Sequence, residues 1–209
     1  MTSVSRRDQL LDTAVDLFFR HGCHTTGIDK LLAEAGVAKM TLYKHFNSKE
    51  ELILAAAQRR SEQMRDEFLQ FIAGEELSPA QRLLAIFDYL EKRVDKCPFL
   101  GDPFVNLSVE FPDLAHPIHQ AAAEHKRLVL GYVMEQAKGA AAADAENLAR
   151  QLLVLLQGAT VVVQVTGEKQ FAKSARAAAA SLIAQATGLP EATLNRRREE
   201  PSSATAGNA

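Results

Sequence analysis

The sequence predicts an all-α protein. Apolar residues recur at spacings of three and four along almost the whole chain, alternating β-branched runs are rare, and the breakers Gly and Pro fall between the periodic segments. A chain of 209 residues, 47% hydrophobic, is long enough for a substantial core in one large domain or two small ones. The net charge of −2 is unevenly spread: residues 1–60 carry +2 and the remainder −4, a mildly basic head before an acidic body.

The first helix follows from Leu10, Leu11, Ala14, Val15, Leu17, Phe18 and Phe19, a wide apolar face stopped at Gly22. Thr26 with Asp29 has the spacing of a capping box and predicts a short second helix through Leu31, Leu32 and Ala35 to Gly36. A third begins at Ala38, with Leu42 and Phe46 four apart on one face. Asn47 and Ser48 end it, and Ser48 with Glu51 repeats the capping spacing at the start of a long helix over 49–73.

Residues 74–79 form a turn before a helix over 80–96. Pro98, Pro103, Pro112 and Pro117 then interrupt the pattern, leaving room for a short helix over 104–111. Helices resume over 118–138, 144–166 and 171–187, and the polar stretch from 191, with Arg196, Arg197 and Arg198, reads as a disordered tail. The most apolar segment, 152–165, is broken by Gln157 and Gln164, is too short to span a bilayer, and reads as a buried helix. The polar N-terminus lacks the apolar run of a secretory signal, and Cys23 and Cys97 form neither a close pair nor a disulfide framework; both fit a reducing cytoplasm with no membrane attachment.

Two short helices around Gly36, braced by a preceding helix, match a helix-turn-helix, in which the second helix enters the major groove of DNA. Leu42 and Phe46 then face inward and hold that helix. Lys39, Thr41, Tyr43, Lys44 and His45 remain for DNA, the lysines for phosphates or guanine acceptors and the others for phosphate oxygens or base edges. Thr26 and Lys49 fall at helix N-termini, where amides and the dipole favour phosphate. The competing reading is a plain helical hairpin with incidental lysines.

The stretch from Thr25 through the Thr41-Leu42-Tyr43-Lys44-His45-Phe46 run to Leu52 resembles the TetR family of bacterial regulators over about a fifth of the chain. The resemblance implies a three-helix DNA-binding unit over 1–48 and a helical effector-binding and dimerisation body over 49–190, followed by the tail over 191–209. By position it implies phosphate contacts from Tyr43, His45 and Lys49, and base reading or its positioning by Lys39, Thr41 and Lys44. Two positions depart: Leu32 stands where helix-turn-helix sequences favour a small residue, which predicts a wider helix crossing, and Met40 replaces a small residue and offers an apolar contact to a thymine methyl. The function implied is a repressor released from operator DNA by a small molecule.

One recognition helix reads too few base pairs for useful specificity, which predicts a homodimer on paired half-sites. Leu152, Leu153, Leu156, Ala159 and Val163 form one stripe, and Ala175, Ala178, Ala179, Leu182 and Ile183 another; they suit either a four-helix dimer interface or intrachain core, and the resemblance favours the dimer. The Pro-rich segment is the expected place for an effector, with Phe99, Phe104, Leu107 and Phe111 as lining and Asn106 and Glu110 as anchors, unless these aromatics are simply core. Residues 101–112 are similar to a segment of one branch of the family in which cysteine often stands at the place of Asp102; here the cysteine is Cys97.

Alternatives remain in sensing of metal through His116, His119 and His125 or of redox state through Cys97, although Pro117 breaks the turn that would join the first two histidines. No nucleophile elbow, phosphate loop or paired-histidine metal motif supports an enzyme, and no cofactor is expected. A ligand-storage or partner-binding protein is the remaining rival.

Overall fold

Ser5 opens the first helix by accepting the Asp8 amide at 3.1 Å, and α1 (Arg6–His21) buries Leu10, Leu11, Ala14, Val15, Leu17 and Phe18. The structure is a computed structural model and describes residues 5–96 and 98–195. Cys97 and residues 196–209, and with them the proposed thiol sensor and the three arginines of the tail, lie outside the described residues. Among the described residues there are ten α-helices and no strand, as the periodicity predicts.

α2 (Ile28–Ala35) and α3 (Lys39–His45) follow, separated by Gly36 at φ 61°. That left-handed conformation lets the chain turn sharply between the two short helices, and only glycine adopts it without steric cost. The expected capping box at Thr26 does not form. The cap position is Gly27, and the Thr26 hydroxyl instead donates backwards to the Gly22 carbonyl at 2.8 Å. At Ser48 the expected cap forms, its hydroxyl accepting the Glu51 amide at 3.1 Å, but the Glu51 carboxylate returns to the Asn47 amide at 2.7 Å rather than to Ser48.

α4 (Lys49–Phe71) rises from the head into the body, and α5 (Pro79–Val94) begins in a full capping box between Ser78 and Gln81. In the Pro-rich segment, α6 (Pro103–Glu110) survives as a helix because Asp102 caps it, accepting the Phe104 and Val105 amides at 2.8 and 3.1 Å. α7 (Pro117–Gly139), α8 (Ala145–Thr166) and α9 (Gln170–Thr187) complete the body. A short turn, α10 (Glu191–Leu194), then buries Leu194 against it, so residues 191–194, expected in the tail, belong to the folded body.

α8 corrects a second expectation. At 22 residues, with a stretch of mean hydropathy 1.5, it is long and apolar enough by length and composition alone to cross a membrane. Its packing gives the apolarity another use: Leu148, Leu152, Ala159 and Val163 are buried against neighbouring helices of the body.

Two clusters make the core. The first joins α1 to α4 and takes in Phe104, Leu107, Phe111, Ile118 and Ala122 from α6 and α7; the second joins α5, α7, α8, α9 and Leu194. The core that holds the head therefore continues past residue 48 and is partly built from body residues. Arg59 adds an ionic tie between α4 and α1, reaching Asp8 at 2.7 Å and Asp12 at 3.0 Å. The Ser5 hydroxyl and then Arg59 hold the Asp8 carboxyl below its ordinary range.

Candidate nucleic-acid interface and internal cavity

α3 is too short to be stable by itself, and its orientation is imposed by two anchors. Leu42 is fully buried and Phe46 nearly so, both in the cluster that contains Leu10, Ala14, Phe18, Leu31 and Leu52. With those two inward, Lys39, Met40, Tyr43 and Lys44 are exposed, and Thr41 and His45 are half-exposed. Met40, 86% exposed, is available for the thymine-methyl contact its chemistry suggests. Lys49 is half-buried in the first turn of α4.

Thr26 is corrected as a phosphate contact. It is 1% exposed and its hydroxyl is committed to backbone carbonyls, so it braces the turn from inside. Sequence reasoning passed over Arg7, whose guanidinium lies 5.3 Å from the centre of the Phe46 ring, beside the recognition helix. Its signal was available as a basic residue in the first turn of α1, a position more often merely solvated. Leu32, the suspected source of a wider crossing, is packed into the core.

The larger internal feature is a cavity of about 500 Å³ between α4, α5, α7 and α8. Each helix presents one face to it at spacings of three and four: Ala57, Ser61 and Phe68; Ile86, Tyr89 and Arg93; Ala121, His125, Val129 and Tyr132; Leu156 and Thr160. None of the six residues expected to hold an effector lines it. Phe99, Asn106, Leu107 and Glu110 instead border a smaller pocket of about 330 Å³ against α1, with Phe18, Arg20 and Cys23. Phe104 stacks at 3.8 Å on His125, directly behind the larger cavity wall, and Phe111 packs against His24 and His116.

The charged residues of the larger cavity that are withdrawn from solvent, Asp102, Lys126 and Arg93, meet near the start of α6, while Glu62, Arg65 and Glu124 are exposed. Asp102, 5% exposed, pairs with Lys126, which also donates to Gln157 Oε1 at 3.0 Å. Burial works to raise the Asp102 carboxyl, but Lys126 and the two capping amides outweigh it and hold it below the usual carboxylate range. Arg93 donates to the Gly101 carbonyl at 3.1 Å. Gly101, at φ 76°, lies so close to Gln164 that a Cβ would collide with its side-chain amide. Burial, reinforced by Lys126, pushes His125 down to about 4, so it is neutral near pH 7; its Nδ1 lies 2.8 Å from the Ser61 hydroxyl.

The three histidines weighed as metal ligands are kept apart by separate tasks. His116 caps α7 by accepting the Ile118 amide, His119 Nδ1 bonds the Phe111 carbonyl at 2.7 Å, and His125 lines the cavity. Among the described residues no group of three metal-ligating side chains comes together. Cys23 is buried and its thiol pushed up to about 12, chiefly by burial and then by Glu110.

The expected dimer stripe also needs correction. Leu152, Ala159, Val163, Ala175 and Ala179 are buried within the protomer, Leu156 lines the cavity and Leu182 is half-buried. The apolar residues left outside lie one face over: Val154, Gly158, Val161 and Val165 on α8, with Phe171 and Ala178 on α9, again at spacings of three and four. The stronger stripe is consumed by the protomer's own core, which pattern alone does not distinguish from an interface.

A helix-turn-helix head carried on a helical body with its own cavity defines a class of DNA-binding regulators. Residues 10–56 match the family described as bacterial regulatory proteins, tetR family, and residues 79–179 match the Tetracyclin repressor-like C-terminal domain. The chain belongs to the TetR family of transcriptional regulators. The crystal structure of SCO4454, a TetR-family regulator from Streptomyces coelicolor, superposes with a TM-score of 0.79 at 26% identity over 87% of this chain and 96% of that one. The transcriptional repressor ComR of Escherichia coli is 26% identical over 163 residues, 74% of this chain and 78% of that protein. The transcriptional activator FasR of Mycolicibacterium smegmatis is 50% identical over 54 residues, 26% of this chain and a quarter of that protein.

Proposed function

We propose that this regulator is a ligand-responsive repressor, released from operator DNA when a small molecule occupies the cavity between α4, α5, α7 and α8. The observation that carries the reading is the continuity of α4. Its first turns, Leu52 to Ala57, are core of the head, and its later residues Ser61, Met64, Arg65 and Phe68 are cavity wall. A helix of 23 residues is a rigid lever roughly 35 Å long, so a ligand that shifts the wall also shifts the head.

α6 supplies a second connection. Its cap, Asp102, lies at the cavity, and at its other end the Glu110 carboxylate accepts the Cys23 and His24 amides at 3.0 and 2.8 Å. Lys39, Thr41, Tyr43, Lys44, His45 and Lys49 contact double-stranded DNA, with Leu42 and Phe46 behind them. Two protomers pair through the outer face of α8 and α9, spacing two recognition helices for two half-sites. The protein acts in the cytoplasm and without catalysis.

A gel shift on DNA upstream of the protein's own gene tests the reading. Operator affinity falls once calorimetry shows a ligand saturating the cavity; unchanged affinity with the cavity filled overturns the release mechanism. Sedimentation checks the pairing, for Val161→Asp yields monomers if α8 is the interface.

A further inference from the structure

The polar end of the cavity holds more positive than negative charge. Two cations, Arg93 and Lys126, face one carboxylate, Asp102, while His125 is neutral. Asp102 is already taken by Lys126 and by the two amides it caps. Arg93 makes no ion pair among the described residues; its partners are the Gly101 carbonyl and the face of Phe99 at 5.9 Å. The remaining acidic side chains nearby are engaged elsewhere or open to water. Glu67 accepts Arg60 at 2.8 Å and the Tyr89 hydroxyl at 2.9 Å, Glu124 is exposed and paired with Arg127, and Glu62 is exposed. Exposed charges at a mouth are screened by salt, whereas charges inside are screened far less.

Arg93 is half-buried and makes no direct ion pair, with Asp102 and Glu67 acting on it only at longer range. A cation held partly out of water without a direct counterion is costly, and an anionic ligand lowers that cost. Burial pushes both Arg93 and Lys126 down; Asp102 raises both in opposition, and the Arg93 charge in turn lowers Lys126, which places the two cations within electrostatic reach of each other and of the same carboxylate. The rest of the lining is apolar, with Phe68, Ile86, Leu90 and Val129 prominent. At the aromatic side, Tyr132 packs edge-on against Phe68, and its buried hydroxyl has no hydrogen-bond partner among the described residues. An unsatisfied buried hydroxyl in a cavity wall is a second sign that this space is shaped for an occupant. Tyr132 stands six residues beyond Lys126 on α7, roughly 9 Å along the helix, so charge and apolar body have separate places.

Resting on the reading of this cavity as the effector site, we infer that the effector is an amphipathic monocarboxylic acid, its carboxylate seated at Arg93 and Lys126 and its apolar body lying along Phe68, Ile86, Leu90 and Val129. Among Arg93, Lys126 and Asp102 the excess is a single charge, the exposed Glu62, Arg65 and Glu124 balancing to one negative at the rim. This suits a carboxylate and leaves the second charge of a phosphate monoester uncompensated. Seated there, the carboxylate competes with Asp102 for Lys126. It thereby acts on the residue that caps α6, the helix whose other end holds Cys23 and His24.

Calorimetry on the full-length protein with a matched set of octanoate, octan-1-ol, octylamine and octyl phosphate near neutral pH tests the assignment. Octanoate binds at least about tenfold tighter than the other three, a factor that corresponds to about 1.4 kcal/mol. Gln157→Glu, nearly isosteric and beside Lys126, supplies the missing negative charge from the protein itself. It lowers octanoate affinity by about tenfold, leaves octan-1-ol affinity in place, and does not lower the thermal midpoint. Arg93→Gln gives the same selective loss by removing a cation. Equal binding of acid and alcohol, tighter binding of the amine or the phosphate, or an unaltered octanoate affinity in Gln157→Glu overturns the carboxylate assignment while leaving the cavity as an effector site. Failure of all four probes to bind overturns the cavity reading and the assignment with it.

Discussion

The recognition helix and the cavity use polar side chains in opposite ways. On α3 the groups proposed to meet DNA are exposed or half-exposed, and the design lies behind them, in Leu42 and Phe46. In the cavity the polar groups Asp102, Lys126, Gln157, His125 and Ser61 are tied to one another, and the design lies in which charge is left over. A surface that meets a polyanion needs only reach and a fixed platform, because water satisfies it until DNA arrives. An interior that meets a small molecule must satisfy almost everything in advance, so what it leaves unsatisfied describes the ligand.

The platform is the place where the largest effect is expected. Leu42→Ala removes a fully buried side chain from a short helix and costs about 2–5 kcal/mol. Thermal unfolding followed by circular dichroism shows the loss, and operator binding disappears although no DNA-facing residue has changed. A smaller loss with full DNA binding breaks the contrast between platform and reader.

In the cavity, His125 provides the next effect. Its folded value of about 4 lies below the ordinary 6.5, so the unfolded chain takes up the proton first as pH falls. Stability is therefore full above about pH 6.5 and declines toward pH 4 by up to about 3 kcal/mol. Chemical denaturation at several pH values follows the decline, and His125→Gln flattens it over that window.

On the reading surface, Lys44→Ala weakens operator binding by about 1–3 kcal/mol and reduces the salt dependence by about one counterion, with little change in thermal midpoint. A gel-shift series in salt distinguishes this from a folding defect. The smallest effect is expected where the two regions are joined. Glu110→Gln weakens the bonds to the Cys23 and His24 amides, costing about 1 kcal/mol, and operator affinity survives while release by a cavity ligand is blunted. Unblunted release assigns the coupling to α4 alone.

The recognition helix was legible because its information is local. Leu42 and Phe46 are four apart, the exposed and half-exposed residues lie between and around them, and Gly36 marks the turn; α3 and its C-cap Phe46 contain almost the whole arrangement. Thr26 was misjudged because an N-terminal threonine spacing does not reveal whether the hydroxyl points forward to free amides or back to Gly22. The stripe of Leu152, Ala159 and Val163 was recognised as apolar and assigned to the wrong neighbour, since periodicity identifies a buried face but not what buries it.

Arg93, Lys126 and Tyr132 had no local signal. Each looks like an ordinary residue of an amphipathic helix until four helices from distant parts of the chain converge on one cavity. The sequence by itself determined the all-helical fold, the head and the residues left exposed on α3, because helix periodicity and turn chemistry act over a few residues. Tertiary structure alone decided which apolar faces the protomer keeps, where the cavity lies and which cation in its wall is left without a direct ion pair, because packing and charge pairing depend on residues brought together from far along the chain.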